Sequence, residues 1–328
     1  MLHRPGRILQ KLLHRAEMGR KTSANGESNK QPVFYEYKEV NHMAKFILSA
    51  FADESSPVLD EQIKALQEEG VSLIELRGVD GKNVSALTID EAKAVKAKLD
   101  AAGIRLSALG SPYGKASLGV AFDEHLALFK HGLELCKVLD TNRIRMFSFH
   151  PAEGVSPEDS REEVLRRLQI MVDLAKEAGV QLVHENEKGI YGDIAERNAD
   201  VLNVFADLGF AFDPANFIQC GVNTLEAYEL LHGRITYMHI KDALLADGAV
   251  VCAGNGDGNV PEILRRLNAE REGEIILTVE PHLTVFKGLN DLQDEELKHH
   301  ESYPDSRTSF HAAVTAIKGI IEKIEQED

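Results

Sequence analysis

Glu185, Asp213, His239 and Glu280 each stand at the end of a short apolar run. The segments are Val183-His184-Glu185-Asn186, Phe212-Asp213-Pro214-Ala215-Asn216, Met238-His239-Ile240-Lys241-Asp242 and Val279-Glu280-Pro281-His282. Three carboxylates and one imidazole are oxygen and nitrogen donors that suit Mn²⁺, Mg²⁺, Co²⁺ or Zn²⁺ better than Cu⁺ or an iron–sulfur centre. One divalent cation in such a set can grip two adjacent oxygens of a hydroxy-carbonyl compound and stabilise a developing enediolate. Two carboxylates on opposite sides of the reacting carbon can remove and return its proton. The cysteines offer no competing chemistry. Cys136, Cys220 and Cys252 are far apart without a CxxC, which argues against a disulfide framework or a thiolate zinc site and suits a reducing cytoplasm.

Residues this far apart in sequence meet only if regular elements bring them together. The separations along the chain are 28, 26 and 41 residues, the first two close to one βα unit. Short apolar runs without polar alternation predict strands buried on both faces. They cover Phe46–Ala52, Ser72–Leu76, Arg105–Leu109, Arg143–Ser148, Gln181–His184, Phe210–Phe212, Thr236–Ile240 and Ile275–Val279. Between them lie helical patterns over Asp60–Glu69, Ile89–Ala102, Glu124–Leu139, Pro157–Ala178, Asn198–Leu208, Leu225–His232 and Val260–Glu272, with Phe310–Glu325 last. A glycine follows many of these helices (Gly70, Gly103, Gly179, Gly209, Gly233, Gly273), as a left-handed helix end prefers. Eight such units predict a single-domain (β/α)₈ TIM barrel, which places the C-terminal ends of all strands on one rim. A doubly wound sheet is the other candidate. It calls for a Gly-rich phosphate loop after the first strand, where this chain reads Ser49-Ala50-Phe51-Ala52-Asp53-Glu54. Gly254-Asn255-Gly256-Asp257-Gly258 follows a late strand and reads as a loop leading into a helix whose first turn holds Pro261.

The bulk numbers agree with such an enzyme. A net charge of −16 over 328 residues argues against nucleic acid as a partner, since phosphate backbones call for a basic surface. No apolar stretch reaches the roughly 20 residues of a membrane span. Residues 1–42 differ, carrying four Lys, four Arg, four Glu and no Asp. Codons for Lys38 to Met43 can spell a bacterial ribosome-binding sequence ahead of Met43, and Met43-Ala44-Lys45-Phe46-Ile47-Leu48 reads like a natural start. The expectation is that 1–42 is translated leader or disordered segment and that 43–328 is the catalytic barrel.

The ordered set "HEN", "FDPANF", "HIKDA" and "VEPHL" resembles the xylose-isomerase-like sugar phosphate isomerase/epimerase superfamily, over residues 46 to about 323. The resemblance implies that Glu185, Asp213, His239 and Glu280 bind one divalent cation and that Glu185 and Glu280 are also the proton-transfer pair. It implies a cytoplasmic isomerase or epimerase of a small sugar, sugar acid or sugar phosphate, with a metal-dependent dehydratase of the inosose or dehydroshikimate kind, or a non-catalytic sugar-binding barrel, as alternatives. Homo-oligomer formation is left open. Two positions depart from the pattern: Asn216 stands where many members of the superfamily have a substrate-binding His, and Leu245 where the ketose 3-epimerases have an Arg. His150, Asn216, Lys241 and Glu187 are the candidate substrate contacts, with Glu187 a competing ligand. Weaker candidates are Glu75, Asp242, His282, a polar loop of Lys188, Tyr191 and Asp193, and a lid formed by Asp291–Asp305 with Arg307 meeting an anionic substrate.

Overall fold

The computed structural model describes residues 44–284, 298 and 300–327; the expected leader and most of the Asp291–Asp305 run lie outside them. Eight parallel strands close into a barrel: β1 (Ala44–Ala50), β2 (Leu73–Leu76), β3 (Arg105–Gly110), β4 (Arg143–Met146), β5 (Gln181–Glu185), β6 (Gly209–Phe212), β7 (Ile235–Ile240) and β8 (Gly273–Val279). Each strand pairs with its neighbours in sequence, and β8 closes on β1 in register from Ala44↔Gly273 to Ala50↔Val279. All eight expected strands form, with ends shifted by a few residues.

Helices pack around the outside: α1 (Leu59–Glu68), α2 (Ile89–Ala101), α3 (Phe122–Leu139), α4 (Pro157–Ala178), α5 (Ala195–Val204), α6 (Pro214–Gln219), α7 (Thr224–Leu231), α8 (Val260–Glu270) and α9 (Ser306–Glu327). Local chemistry sets several ends. Thr88 and Glu91 form a reciprocal capping box at the start of α2. Ser156 caps α4, Pro157 opens it and Gly179 closes it. Three expected glycine stops differ. Gly273 opens β8, beyond the Arg271 that ends α8. Gly209 is already the first residue of β6, where an added Cβ would lie 2.5 Å from Thr236 Oγ1, so packing requires it. Gly233 does not adopt a positive φ.

The main apolar core lies between strands and helices, built from residues such as Leu66, Leu99, Leu168, Phe210 and Val314. The lumen is different. A small apolar layer of Val183, Ala211 and Tyr237 fills part of it. Toward the C-terminal rim polar groups enter: Ser49 and Ser107 share a hydrogen bond at 2.7 Å across the barrel, and Tyr237 Oη donates to Glu75 Oε1 at 3.0 Å. Barrel interiors are normally packed with branched aliphatic side chains, so this polar column marks out the end it leads to.

Candidate metal centre

Glu185 is the last residue of β5, and Asp213 follows β6 directly. His239 is the penultimate residue of β7, paired with Thr278 of β8, and Glu280 follows β8. One ligating atom from each lies within 4.8 Å of the others, close enough to share one ion, and all four residues are buried.

Each donor is held. Asp213 caps α6, its Oδ1 accepting the Asn216 N–H at 2.9 Å, while Pro214 opens that helix. This cap leaves Oδ2 free of hydrogen bonds, 3.1 Å from the Lys241 ammonium. Asn186 clamps the ends of β5 and β6 by accepting from Asp213 N and donating to Asp213 O, both at 2.9 Å. Asn216 Nδ2 donates to Asn186 O at 2.8 Å and to Glu185 Oε1 at 3.3 Å. His239 Nδ1 faces Glu185 Oε1 at 2.8 Å and Glu280 Oε2 at 3.6 Å, while Nε2 meets Glu75 Oε2 at 3.2 Å. Both ring nitrogens face carboxylates here; with a cation bound, Glu75 would keep the proton on Nε2 and leave Nδ1 to the metal, the arrangement that metal-binding histidines use.

Cationic side chains surround these groups. Arg77 spends its whole fork on acids: Nε and Nη2 on Asp53 at 2.9 and 3.0 Å, Nη2 also on Glu54 at 2.9 Å, and Nη1 on Glu280 at 2.9 Å. Arg145 Nε lies 3.2 Å from Glu185 Oε2 and 3.5 Å from Glu75 Oε1. Lys241 Nζ also donates to Glu280 Oε2 at 3.2 Å. His282, in a left-handed conformation at φ 45°, donates its backbone N–H to Glu54 Oε2 at 2.6 Å and sets its ring 3.3 Å from Glu280 Oε1.

The charges do not balance. Six buried carboxylates (Asp53, Glu54, Glu75, Glu185, Asp213, Glu280) face three buried Lys and Arg side chains (Arg77, Arg145, Lys241). The proton affinities register the excess. Burial raises Asp213 to about 7 despite Lys241, with Glu280 and Glu185 adding to the rise. Burial also raises Glu54 to about 8, which Arg77 only partly offsets. For Glu280 burial again opposes ionisation, but Lys241, His282, His239 and Arg77 together hold it well below the carboxylate range. Burial disfavours the His239 imidazolium, yet Glu185 and then Glu75 raise its pKa well above the usual value. The donor types, their convergence, the Asp213 oxygen without a hydrogen bond and the surplus negative charge all fit a divalent cation.

Of the expected substrate contacts, Lys241 and Asn216 are part of this cluster. Glu187 is paired with Lys115 at 2.6 Å, and Lys241 and Glu280 are among the charges acting on it. His150 does not join the four: its Nδ1 meets Gly189 O at 3.0 Å. Asp242 is absorbed by structure, its carboxylate accepting N–H groups from Ala243, Gly254, Gly256 and Gly258. Tyr191 bonds Asp200 and Asp193 pairs with Arg197, so these two brace α5. Arg307 pairs with Glu68 of α1 on the outer ring, not with the pocket. Leu245 is 59% exposed. Arg77, Arg145, Lys115 and Asn186 were not anticipated; the signal for two of them was an Arg just beyond an apolar strand (Arg77) or within one (Arg145).

This closed (β/α)₈ barrel carries its acidic, His-containing cluster on the C-terminal rim, the end where such barrels place their functional sites. A family model described as xylose isomerase-like TIM barrel matches residues 63–303, and the chain belongs to that family. Solved structures share the fold at low identity. IolI protein with a bound zinc atom is 16% identical with a TM-score of 0.64, over 85% of this chain and 99% of that one. L-ribulose 3-epimerase is 16% identical with a TM-score of 0.64, over 87% and 97%. The probable 3-DHS dehydratase AsbF of Bacillus anthracis is 14% identical with a TM-score of 0.62, over 84% and 99%. No curated relative matches the chain by sequence.

Proposed function

We propose that this protein is a divalent-metal-dependent isomerase or epimerase of a small sugar, sugar acid or sugar phosphate. Glu185, Asp213, His239 and Glu280 hold the cation, and Glu185 and Glu280 double as acid and base. The observation that carries this reading is the convergence of four buried donors from four consecutive strands within 4.8 Å. The cation supplies Lewis-acid stabilisation of negative charge developing on adjacent substrate oxygens.

The protein's own groups do the rest. Lys241 and Arg77 keep Glu280 ionised, ready to take a proton from the carbon beside the substrate carbonyl. Glu185, beside Arg145 and Asn216, enters the step protonated, gives that proton to the neighbouring carbon or to the opposite face and leaves as the carboxylate. Exchange with solvent between turnovers resets the pair. Lys241 and the Lys115–Glu187 pair offer donors and acceptors for substrate hydroxyls, and burial of the cluster excludes bulk water from the proton in transit.

A panel of ketoses and sugar acids in D₂O tests the reading, because proton exchange at carbon is read without knowing the product. Exchange should appear in the wild type and fall by about 10²-fold or more in Glu185→Gln and Glu280→Gln, with melting temperatures within a few degrees of wild type. Residual turnover near the wild-type rate in either variant would contradict the acid–base assignment. A new conjugated-carbonyl absorbance with loss of water would favour a dehydratase instead.

A further inference from the structure

The two ends of the barrel differ. Opposite the acidic cluster, the opening residues of the strands surround a cavity of about 750 Å³. Arg105 opens β3 and Arg143 opens β4, and both line it. Among the described residues neither guanidinium has an acidic partner. Arg143 Nη1 makes one long bond to Ser107 O at 3.3 Å and its Nε is buried without a hydrogen-bond acceptor. Among the described residues the exposed Arg105 side chain makes no hydrogen bond or ion pair. The acids on the cavity wall do not answer them: Glu274 is taken by Lys45 at 3.1 Å, and Asp140 is 87% exposed with Lys96 at 4.0 Å.

This contrasts with the rest of the molecule. In a chain with 53 acidic and 37 basic residues, Arg161, Arg166, Arg197, Arg265 and Arg266 each hold a carboxylate, while Arg234 and Arg271 spread their donors over several backbone carbonyls. Arg143, whose guanidinium lies 5.8 Å from the Tyr237 ring centroid, keeps a buried Nε donor without an acceptor, which is costly. The exposed Arg105 fork in the same cavity adds donors that an outside acceptor would satisfy. The planar fork matches phosphate oxygens. The volume falls in the range of small-molecule pockets and exceeds the needs of a bare ion. We infer that the floor of the barrel is a second binding site, for the phosphate group of a small phosphorylated metabolite. Arg105 and Arg143 grip the phosphate, and Ser107 and Asn142 line the space beside it.

Calorimetric titration of the full-length protein with inorganic phosphate and with glycerol 3-phosphate, at ionic strength matched with chloride, tests this. Saturable binding is expected, weakened about 10-fold or more by Arg105→Ala and unchanged by Asp213→Ala, which alters only the opposite rim. Arg105 is exposed at the barrel edge, so its replacement should leave the fold and the Mn²⁺ affinity as in wild type; Arg143→Lys provides a second, milder loss. Absence of saturable binding for both probes would overturn the inference. So would binding that Arg105→Ala leaves intact, or that Asp213→Ala abolishes.

Discussion

Asp213 serves two ends at once. One oxygen caps α6 and the other faces the cluster, so the loop that ends β6 is fixed by the same carboxylate that it presents. His239 is divided in the same way, with Nε2 on Glu75 and Nδ1 toward Glu185. Glu75 is therefore a positioning residue for the imidazole. Glu75→Gln should weaken Mn²⁺ binding by about 10- to 100-fold in calorimetry while the far-ultraviolet spectrum is retained; unchanged affinity would show that the contact does not orient the ring. The four converging side chains were legible in the sequence because each stands at the end of an apolar run, where a charged residue has no place in a core. Their partners were less so. Arg77 and Arg145 come from strands two and four, and only closure of the barrel brings them to Glu280 and Glu185. An arginine near a strand end reads as a solvated charge until its acids are known.

At the scale of elements, the strand pattern was legible because strands buried on both faces leave unbroken apolar runs. The connecting segments were less so, since side-chain bonds shape them. The segment after β7 forms a two-stranded ribbon of Asp242–Ala243 with Val250–Val251. The Gly-rich run beyond it wraps the Asp242 carboxylate, so that a Cβ at Gly256 would sit 2.3 Å from Asp242 Oδ1. Gly256→Ala should cost about 1–3 kcal/mol in urea unfolding, and a neutral effect would mean the loop moves freely. The loop after β3, which carries Lys115, is tied to α3 by Gly114 N–H donating to His125 Nε2 at 2.9 Å. Burial, helped by Arg167, lowers His125 to about 4. A histidine depressed in the fold stays neutral there while the unfolded chain takes up a proton. Its contribution is complete above about pH 6.5 and is lost as pH falls toward 4. With its partial exposure, the difference should be about 1–2 kcal/mol. Urea unfolding of wild type and His125→Gln between pH 7.5 and 4.5 should show a steeper loss in the wild type; parallel curves would contradict it.

For the whole molecule, the barrel gathers carboxylates from strands one, two and five to eight into one buried end and supplies too few cations to neutralise them. Such a site is poised to gain stability from a ligand that binds only the folded chain. Chelation of a metal-loaded preparation should therefore lower the melting temperature, and Mn²⁺ should restore it. The fold class followed from counting βα units, whereas the polar lumen leading to His239 did not, because Ser49, Ser107 and Thr278 sit in strands whose other residues dominate the pattern. The central claim is that four side chains from four consecutive strands share one divalent cation. Equilibrium dialysis against Mn²⁺, followed by elemental analysis, tests it most directly. One Mn²⁺ per chain is expected in the wild type, with at least a 100-fold loss of affinity, about 2.7 kcal/mol or more, in folded Asp213→Ala and His239→Ala. No stoichiometric binding in the wild type, or binding that survives both substitutions, would contradict it.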